Sequence, residues 1–236
     1  MRRIGIVALI ALVLLTACSS GKGKLTQLEN IKKGDTVAVI DVREYGQMKL
    51  KLFPDKTPAT VENFTELAKT GYYDGLAFTT VVEDFFVMTG NAEDGDTVSS
   101  FGGFFEDEFS EDLLPVRGAL CMANLGEADT NSSQFFIVGQ TKEQLEKIDE
   151  LLAFKGYALE DYIERGYNTK LSMDQLEEYF EYGGTPWIYG HNTVFGQLLE
   201  GFDVLDAIMS AQTADAHSYV PVDDIVIENI TVYVEE

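Results

Sequence analysis

Two cysteines and two histidines in 236 residues leave few of the side chains on which covalent and redox chemistries usually rest. The cysteines, Cys18 and Cys121, are too far apart for a Cys-x-x-Cys pair, and His217 stands alone in an expected loop. There is no Gly-x-Ser-x-Gly elbow and no phosphate-binding glycine loop, so the hydrolase and nucleotide-binding signatures are missing. Positive charge is equally scarce. Against 40 Asp and Glu stand 17 Lys and Arg, a net charge of -23 that repels nucleic acid and anionic headgroups and excludes nucleic-acid binding. The longest apolar run, Ile4 to Ala17, has 14 residues and falls short of the roughly 20 that a spanning helix needs.

That short run has its own meaning. Arg2 and Arg3 precede it in the layout of a secretory signal. It ends in Leu15-Thr16-Ala17-Cys18, which resembles the lipobox of bacterial lipoproteins. The resemblance implies a signal peptide at 1–17, a lipid on Cys18, and an extracytoplasmic protein anchored to a bacterial membrane. Residues 18–34, with Ser19, Ser20, Gly21 and Gly23, are then its lipidated terminus and tether. With Cys18 in lipid no intramolecular disulfide can form, so the fold rests on its core, and residues 35–236 are long enough to build one as a single domain. Cys121, inside the apolar run Ala119 to Ala123, reads as a small buried hydrophobe.

Alternating patterns at Thr36 to Val42 and Met48 to Phe53 predict a hairpin. Thr57-Pro58 predicts a helix start, with Val61, Phe64, Leu67 and Ala68 on one face and Gly71 ending it. Short strands are expected at Ala77 to Val82, Phe85 to Thr89, Ala119 to Ala123, Phe135 to Val138, Val194 to Leu198 and Ile225 to Val234, with a helix at Phe202 to Met209. Many short strands with two amphipathic helices suit a mainly β fold, a closed antiparallel eight-stranded barrel capped by two helices.

Four ordered segments then point to one family: Gly71-Tyr72-Tyr73-Asp74-Gly75 leading into Phe78, Val81-Val82 and Phe85-Phe86; Met122-Ala123-Asn124; Asn131-Ser132-Ser133-Gln134-Phe135-Phe136-Ile137; and Trp187-Ile188-Tyr189-Gly190-His191-Asn192-Thr193-Val194-Phe195-Gly196. Together they resemble the cyclophilin family of peptidyl-prolyl isomerases, which implies the same barrel, no cofactor, no metal, and proline-containing polypeptides as clients. Carried over by position, the resemblance makes Phe85, Phe86, Phe136 and Ile188 the pocket for the proline ring. Ala123, Asn124 and Gln134 become groove residues that bond the substrate backbone, and Trp187 the rim tryptophan.

The polar half departs from the family pattern. Phe78-Thr79-Thr80 stands where the family has Phe-His-Arg, so Thr80 occupies the place of the catalytic arginine, and Met88 that of the glutamine which positions it. Asn192 stands where a histidine is usual, with His191 beside it. Arg165, or a lysine of the same segment, is the candidate replacement for the missing cation.

Residues 141–186 separate two motifs that the family usually places close together. Helical spacing at Glu143 to Phe154, with Leu145, Ile148, Leu151 and Leu152 on one face, and at Met173 to Tyr182, with Leu176, Tyr179 and Phe180, predicts an inserted helical subdomain. It is either a partner-docking element or a surface elaboration. Upstream, Glu93 to Asp112 carries eight carboxylates and no base. Glu93, Asp94 and Asp96 do not complete a calcium loop, because Gly102 falls where a bidentate glutamate is required. Glu106, Asp107, Glu108, Glu111 and Asp112 read as a solvated loop or as a negative rim favouring basic client residues. Two other readings of the chain stay open: a non-catalytic proline-segment binder, and a solute-binding lipoprotein, which would need two lobes and a longer chain.

Overall fold

The computed structural model describes residues 25–91, 98–214 and 218–236. Cys18 with its signal and tether, Glu93, Asp94, Asp96 and His217 lie outside the described residues.

The alternating segments form strands β1 (Thr36–Val42) and β2 (Gly46–Leu52), paired from Thr36↔Leu52 to Val42↔Gly46. Ala38, Ile40 and Val42 point inward with Met48, Leu50 and Leu52, the period-two pattern that identified them. Six further strands, β3 (Thr80–Val82), β4 (Phe86–Thr89), β5 (Ala119–Met122), β6 (Phe135–Val138), β7 (Val194–Glu200) and β8 (Ile227–Val234), complete one antiparallel sheet in the order β3-β4-β6-β5-β7-β2-β1-β8. The sheet curls around a core in which Phe64, Tyr73, Phe135 and Phe195 meet at centroid separations of 5.3 to 5.4 Å.

The closed barrel expected from the sequence is not formed. β3 and β8 remain edge strands. Their seam is crossed just before each strand by the single bridge Ala77↔Val226 and a few backbone bonds, such as Phe78 N–H to the Ile225 carbonyl at 2.8 Å. The physical reason is register: the seam is antiparallel at Ala77↔Val226, so β3 runs on away from β8, and the residues that would lie along β8 are the turns at 71–75.

Helix α1 (Pro58–Lys69) and helix α5 (Phe202–Met209) bury Val61, Phe64 and Leu67, and Val204, Leu205 and Ile208, in the sheet's core. Thr57 precedes α1 but does not cap it. Its hydroxyl donates to the Phe53 carbonyl, while Glu108, from a distant loop, accepts from the N–H groups of Ala59 (3.1 Å) and Thr60 (2.8 Å). A carboxylate suits the positive end of a helix dipole better than a hydroxyl does.

Three helices lie between β6 and β7: α2 (Lys142–Phe154), α3 (Leu159–Tyr167) and α4 (Met173–Tyr182). Capping boxes start α2 (Thr141 with Gln144) and α4 (Ser172 with Gln175), each satisfying two backbone donors that a helix start leaves open. α3 is not anticipated by the sequence reading, because only Leu159 and Ile163 mark its inner face. Leu145, Leu152, Leu159, Ile163, Leu176 and Tyr179 form a second core, shared with Leu114 and Val116 of the loop before β5. Leu151, expected on the apolar face of α2, is 54% exposed, since that face turns toward Leu145 and Leu152.

Candidate active site

Strand register sorts the central sheet into two faces. Thr80 pairs with Met88, Met88 with Phe136, Phe136 with Cys121, and Cys121 with Val194, which sets these five side chains in one row across β3-β4-β6-β5-β7. Directly paired residues share a face, so the whole row points away from the core. Their neighbours Val87, Ile137 and Leu120 point into it.

The outer row is the floor of a groove. Phe86, Met88, Ala123, Phe136 and Ile188 pack in one apolar cluster over Cys121 and Val194. Phe86 lies 5.2 Å from Phe136 and 4.6 Å from Phe85, and Phe85 lies 6.0 Å from Trp187. Phe85 stands in the β3-β4 turn and Trp187 in a 3-10 turn (Pro186–Ile188), so both aromatic walls come from turns. All of these rings but Phe136 are half-exposed, which leaves an apolar surface open to a ligand. Gly90, just past Met88, has φ +89°, and a β-carbon there would meet the Ser133 carbonyl at 2.5 Å. Only glycine lets β4 lie this close to the run that carries Gln134.

The polar residues divide. Thr80 has no hydrogen-bond partner for its hydroxyl among the described residues, nor has Gln134 for its side-chain amide, and both are half-buried beside the groove. Asn124 and Asn192 are already engaged. Asn124 Nδ2 donates to the His191 carbonyl at 2.8 Å and Asn192 Nδ2 to the Met122 carbonyl at 3.0 Å, which ties the closing loop to the end of β5. His191 turns away from the groove, its Nε2 lying 2.9 Å from the Tyr167 carbonyl. It does not stand in for the histidine absent at Asn192.

No cation replaces the arginine through the described arginines. Arg43 pairs with Glu228 at 2.7 Å, and Arg117 with Asp206 while stacking on Phe202. Arg165 falls on the outer face of α3, two residues from both Ile163, which faces the core, and Tyr167, which meets Trp187. Of the acidic rim, Glu108 caps α1, Asp112 pairs with Lys56, and Asp107 accepts from Asn131 at 2.8 Å and from the Asp129 N–H at 2.9 Å. Phe109, not singled out from the sequence, lines two cavities of about 270 and 290 Å³ beyond Asn192, with Glu111 in one and Asp107 and Glu127 in the other. Burial pushes the Cys121 thiol far up, so it is protonated and inert beneath the floor.

The groove thus has an apolar floor on a curled sheet, with the Thr80 hydroxyl and the Gln134 amide unpaired beside it among the described residues. Comparison with known proteins gives the family. Residues 37–232 match the family model for cyclophilin type peptidyl-prolyl cis-trans isomerases. A protein of Staphylococcus epidermidis that carries the provisional name of a peptidyl-prolyl cis-trans isomerase is 42% identical over 208 residues, 87% of this chain and 96% of that one. One of Staphylococcus aureus with the same provisional name is 38% identical over 206 residues, 86% and 95% of the two chains. Among solved structures, a cyclophilin type isomerase of Cryptosporidium parvum superposes with a TM-score of 0.63 at 24% identity, over 86% of this chain and 99% of that one. A second structure of it, obtained in the presence of the dipeptide Ala-Pro, gives 0.61. The chain belongs to the cyclophilin-type peptidyl-prolyl cis-trans isomerase family.

Proposed function

We propose that this chain isomerises peptidyl-proline bonds in proteins outside the cytoplasm, assists their folding, and does so at a reduced rate because Thr80 occupies the arginine position. The observation that carries this reading is the groove floor of Phe86, Met88, Phe136 and Ile188 with the free hydroxyl and amide of Thr80 and Gln134 beside it.

Isomerisation must cross about 18 to 20 kcal/mol, because the amide loses its resonance when it twists. No bond breaks, so neither nucleophile nor cofactor is required. The floor holds the proline ring, Gln134 and the backbone near Asn124 fix the flanking chain, and a donor aimed at the proline nitrogen stabilises the twisted state alone. Thr80 offers one neutral hydroxyl for that task, shorter than a guanidinium. The Cryptosporidium protein was solved in the presence of the dipeptide Ala-Pro, which supports a proline-containing ligand for this chain. Residues 141–186 are read as an insertion into the family frame, and Phe109 with Glu111, Asp107 and Glu127 as a subsite that favours basic residues near the client's proline. The pairing of Thr80 with Met88, where both polar partners are lost together, favours a second reading, a proline-segment binder without catalysis.

The cis-to-trans rate of an Ala-Pro peptide, followed by exchange NMR, separates the two. Acceleration by the native chain from Ser19 onward is the expected result, and binding without acceleration makes the protein a holder of proline segments. The anchor is tested in cells. Fatty-acid labelling of the native chain and its loss in Cys18→Ala are expected, with the variant released from the membrane fraction. Labelling that survives the substitution removes Cys18 as the attachment point.

A further inference from the structure

Trp187, the one tryptophan of the chain, is supported from behind. Its ring lies 6.0 Å from Tyr167 at the end of α3, and Tyr162 meets Tyr167 edge-on at 5.8 Å. With Phe85 on the groove side, four rings form one chain of contacts from the surface of α3 to the groove wall. Polar ties run beside it. The Thr169 hydroxyl lies 3.2 Å from the Trp187 carbonyl and 3.4 Å from that of Tyr189. His191 Nε2 donates to the Tyr167 carbonyl, since that oxygen can only accept.

The opposite wall is tied to α2. Gln144 Nε2 donates to the carboxylate of Asp84, the residue at φ 62° that sets the turn before Phe85. The Phe85 carbonyl accepts from Gly139 (2.8 Å) and Gln140 (3.2 Å), which lead into α2. Neither wall segment belongs to the sheet ladder, so the sheet alone does not set the distance between them.

We propose that α2 and α3 are a positioning brace for the isomerase site: Tyr167 sets the Trp187 ring, and Gln144 sets the Phe85 turn. Both are positioning residues, acting through the walls they hold. The inference rests on the isomerase reading of the groove. Its physical content is pre-organisation, because walls ordered before the peptide arrives need not be ordered at its expense. A merely structural helical unit would change the melting temperature when cut and leave the folded site as it was.

The test uses the full chain with Tyr167→Ala, Tyr167→Phe and Gln144→Ala, and Tyr157→Ala on the exposed α2-α3 connection as control. Three quantities are read: Trp187 emission, the exchange rate of an Ala-Pro peptide, and the melting temperature. Tyr167→Ala should shift Trp187 emission to the red and lower kcat/KM about tenfold, at the low end of what a displaced site costs, while still melting cooperatively. Tyr167→Phe restores both, since the ring is the support. Gln144→Ala lowers kcat/KM with emission unchanged, and Tyr157→Ala matches the native chain. Native emission and native rate in Tyr167→Ala overturn the brace, as does a rate loss that only follows the unfolded fraction. Should Tyr167→Ala fail to fold, Gln144→Ala decides alone, and a native rate there overturns the proposal. A native chain that neither isomerises nor binds the peptide sinks the isomerase reading instead, and Trp187 emission in Tyr167→Ala then judges the brace by itself.

Discussion

Thr80→Arg combined with Met88→Gln will accelerate Ala-Pro isomerisation by about 100- to 1,000-fold over the native chain, the range associated with one pre-organised transition-state donor. The expectation follows from register. Thr80 and Met88 are directly paired across β3 and β4 and share the outer face, so the new guanidinium and the new amide lie side by side. Met88 in turn faces Phe136, which puts the pair at the edge of the floor proposed for the proline ring. Thr80→Arg alone should recover less, because a long flexible side chain without its amide partner spends much of its time elsewhere. Met88→Gln alone should recover almost nothing. The measurement is the exchange rate at fixed enzyme concentration, with the melting temperature confirming that each variant is folded. A folded double variant no faster than the native chain would show that the arginine position does not limit this site, and the reduced-rate reading would be dropped.

How much of this was legible in the sequence depends on what encodes each part. Strands β1 and β2 and helices α1 and α5 were readable because each carries a complete apolar period, two in the strands and 3.6 in the helices. Phe136 was readable through motif spacing, since it sits in the Ser133-Gln134-Phe135-Phe136-Ile137 run that keeps the family pattern, whereas Met88 stands where that pattern is broken. Closure of the barrel was not readable. It depends on how far the chain before Ala77 lies along β8, which the turns at 71–75 break off, and the strand pattern does not declare that pairing. Helix α3 escaped because its inner face has two apolar residues and its other support is Tyr167 against Trp187, a contact between segments 20 residues apart. Which carboxylates of the acidic stretch are engaged was unreadable for a related reason. Composition shows a carboxylate, not its partner, and Glu108 and Asp112 are taken up by α1 and Lys56. Arg165 falls on the outer face of α3 by helical phase, which was unreadable until α3 itself was known.

Phe135 and Phe136 offer the sharpest test of how the sheet divides its labour, since adjacent strand residues face opposite sides. Phe135 is fully buried, 5.4 Å from both Phe64 and Tyr73, so Phe135→Ala should cost about 3 to 5 kcal/mol of stability, the usual range for such a truncation in a packed core. Against a total of about 5 to 15 kcal/mol, that lowers the melting point by about 10 °C or more while the folded fraction still binds peptide. Phe136 points the other way. Its ring lies against Phe86 at 5.2 Å on the outer face of the sheet, buried at 6% exposure in the cluster beneath the groove. Phe136→Ala should cost stability too, up to about 3 to 5 kcal/mol, but its folded fraction should also lose about 10- to 100-fold in kcat/KM, because the proline ring forfeits roughly the 1.5 to 3 kcal/mol that burial against a large apolar side chain supplies. Paired thermal melts and exchange kinetics on the two variants read both effects at once. If Phe136→Ala kept native kinetics while Phe135→Ala lost them in the folded state, the outer face would not be the ligand face, and the proline site would have to be sought on the other side of β6.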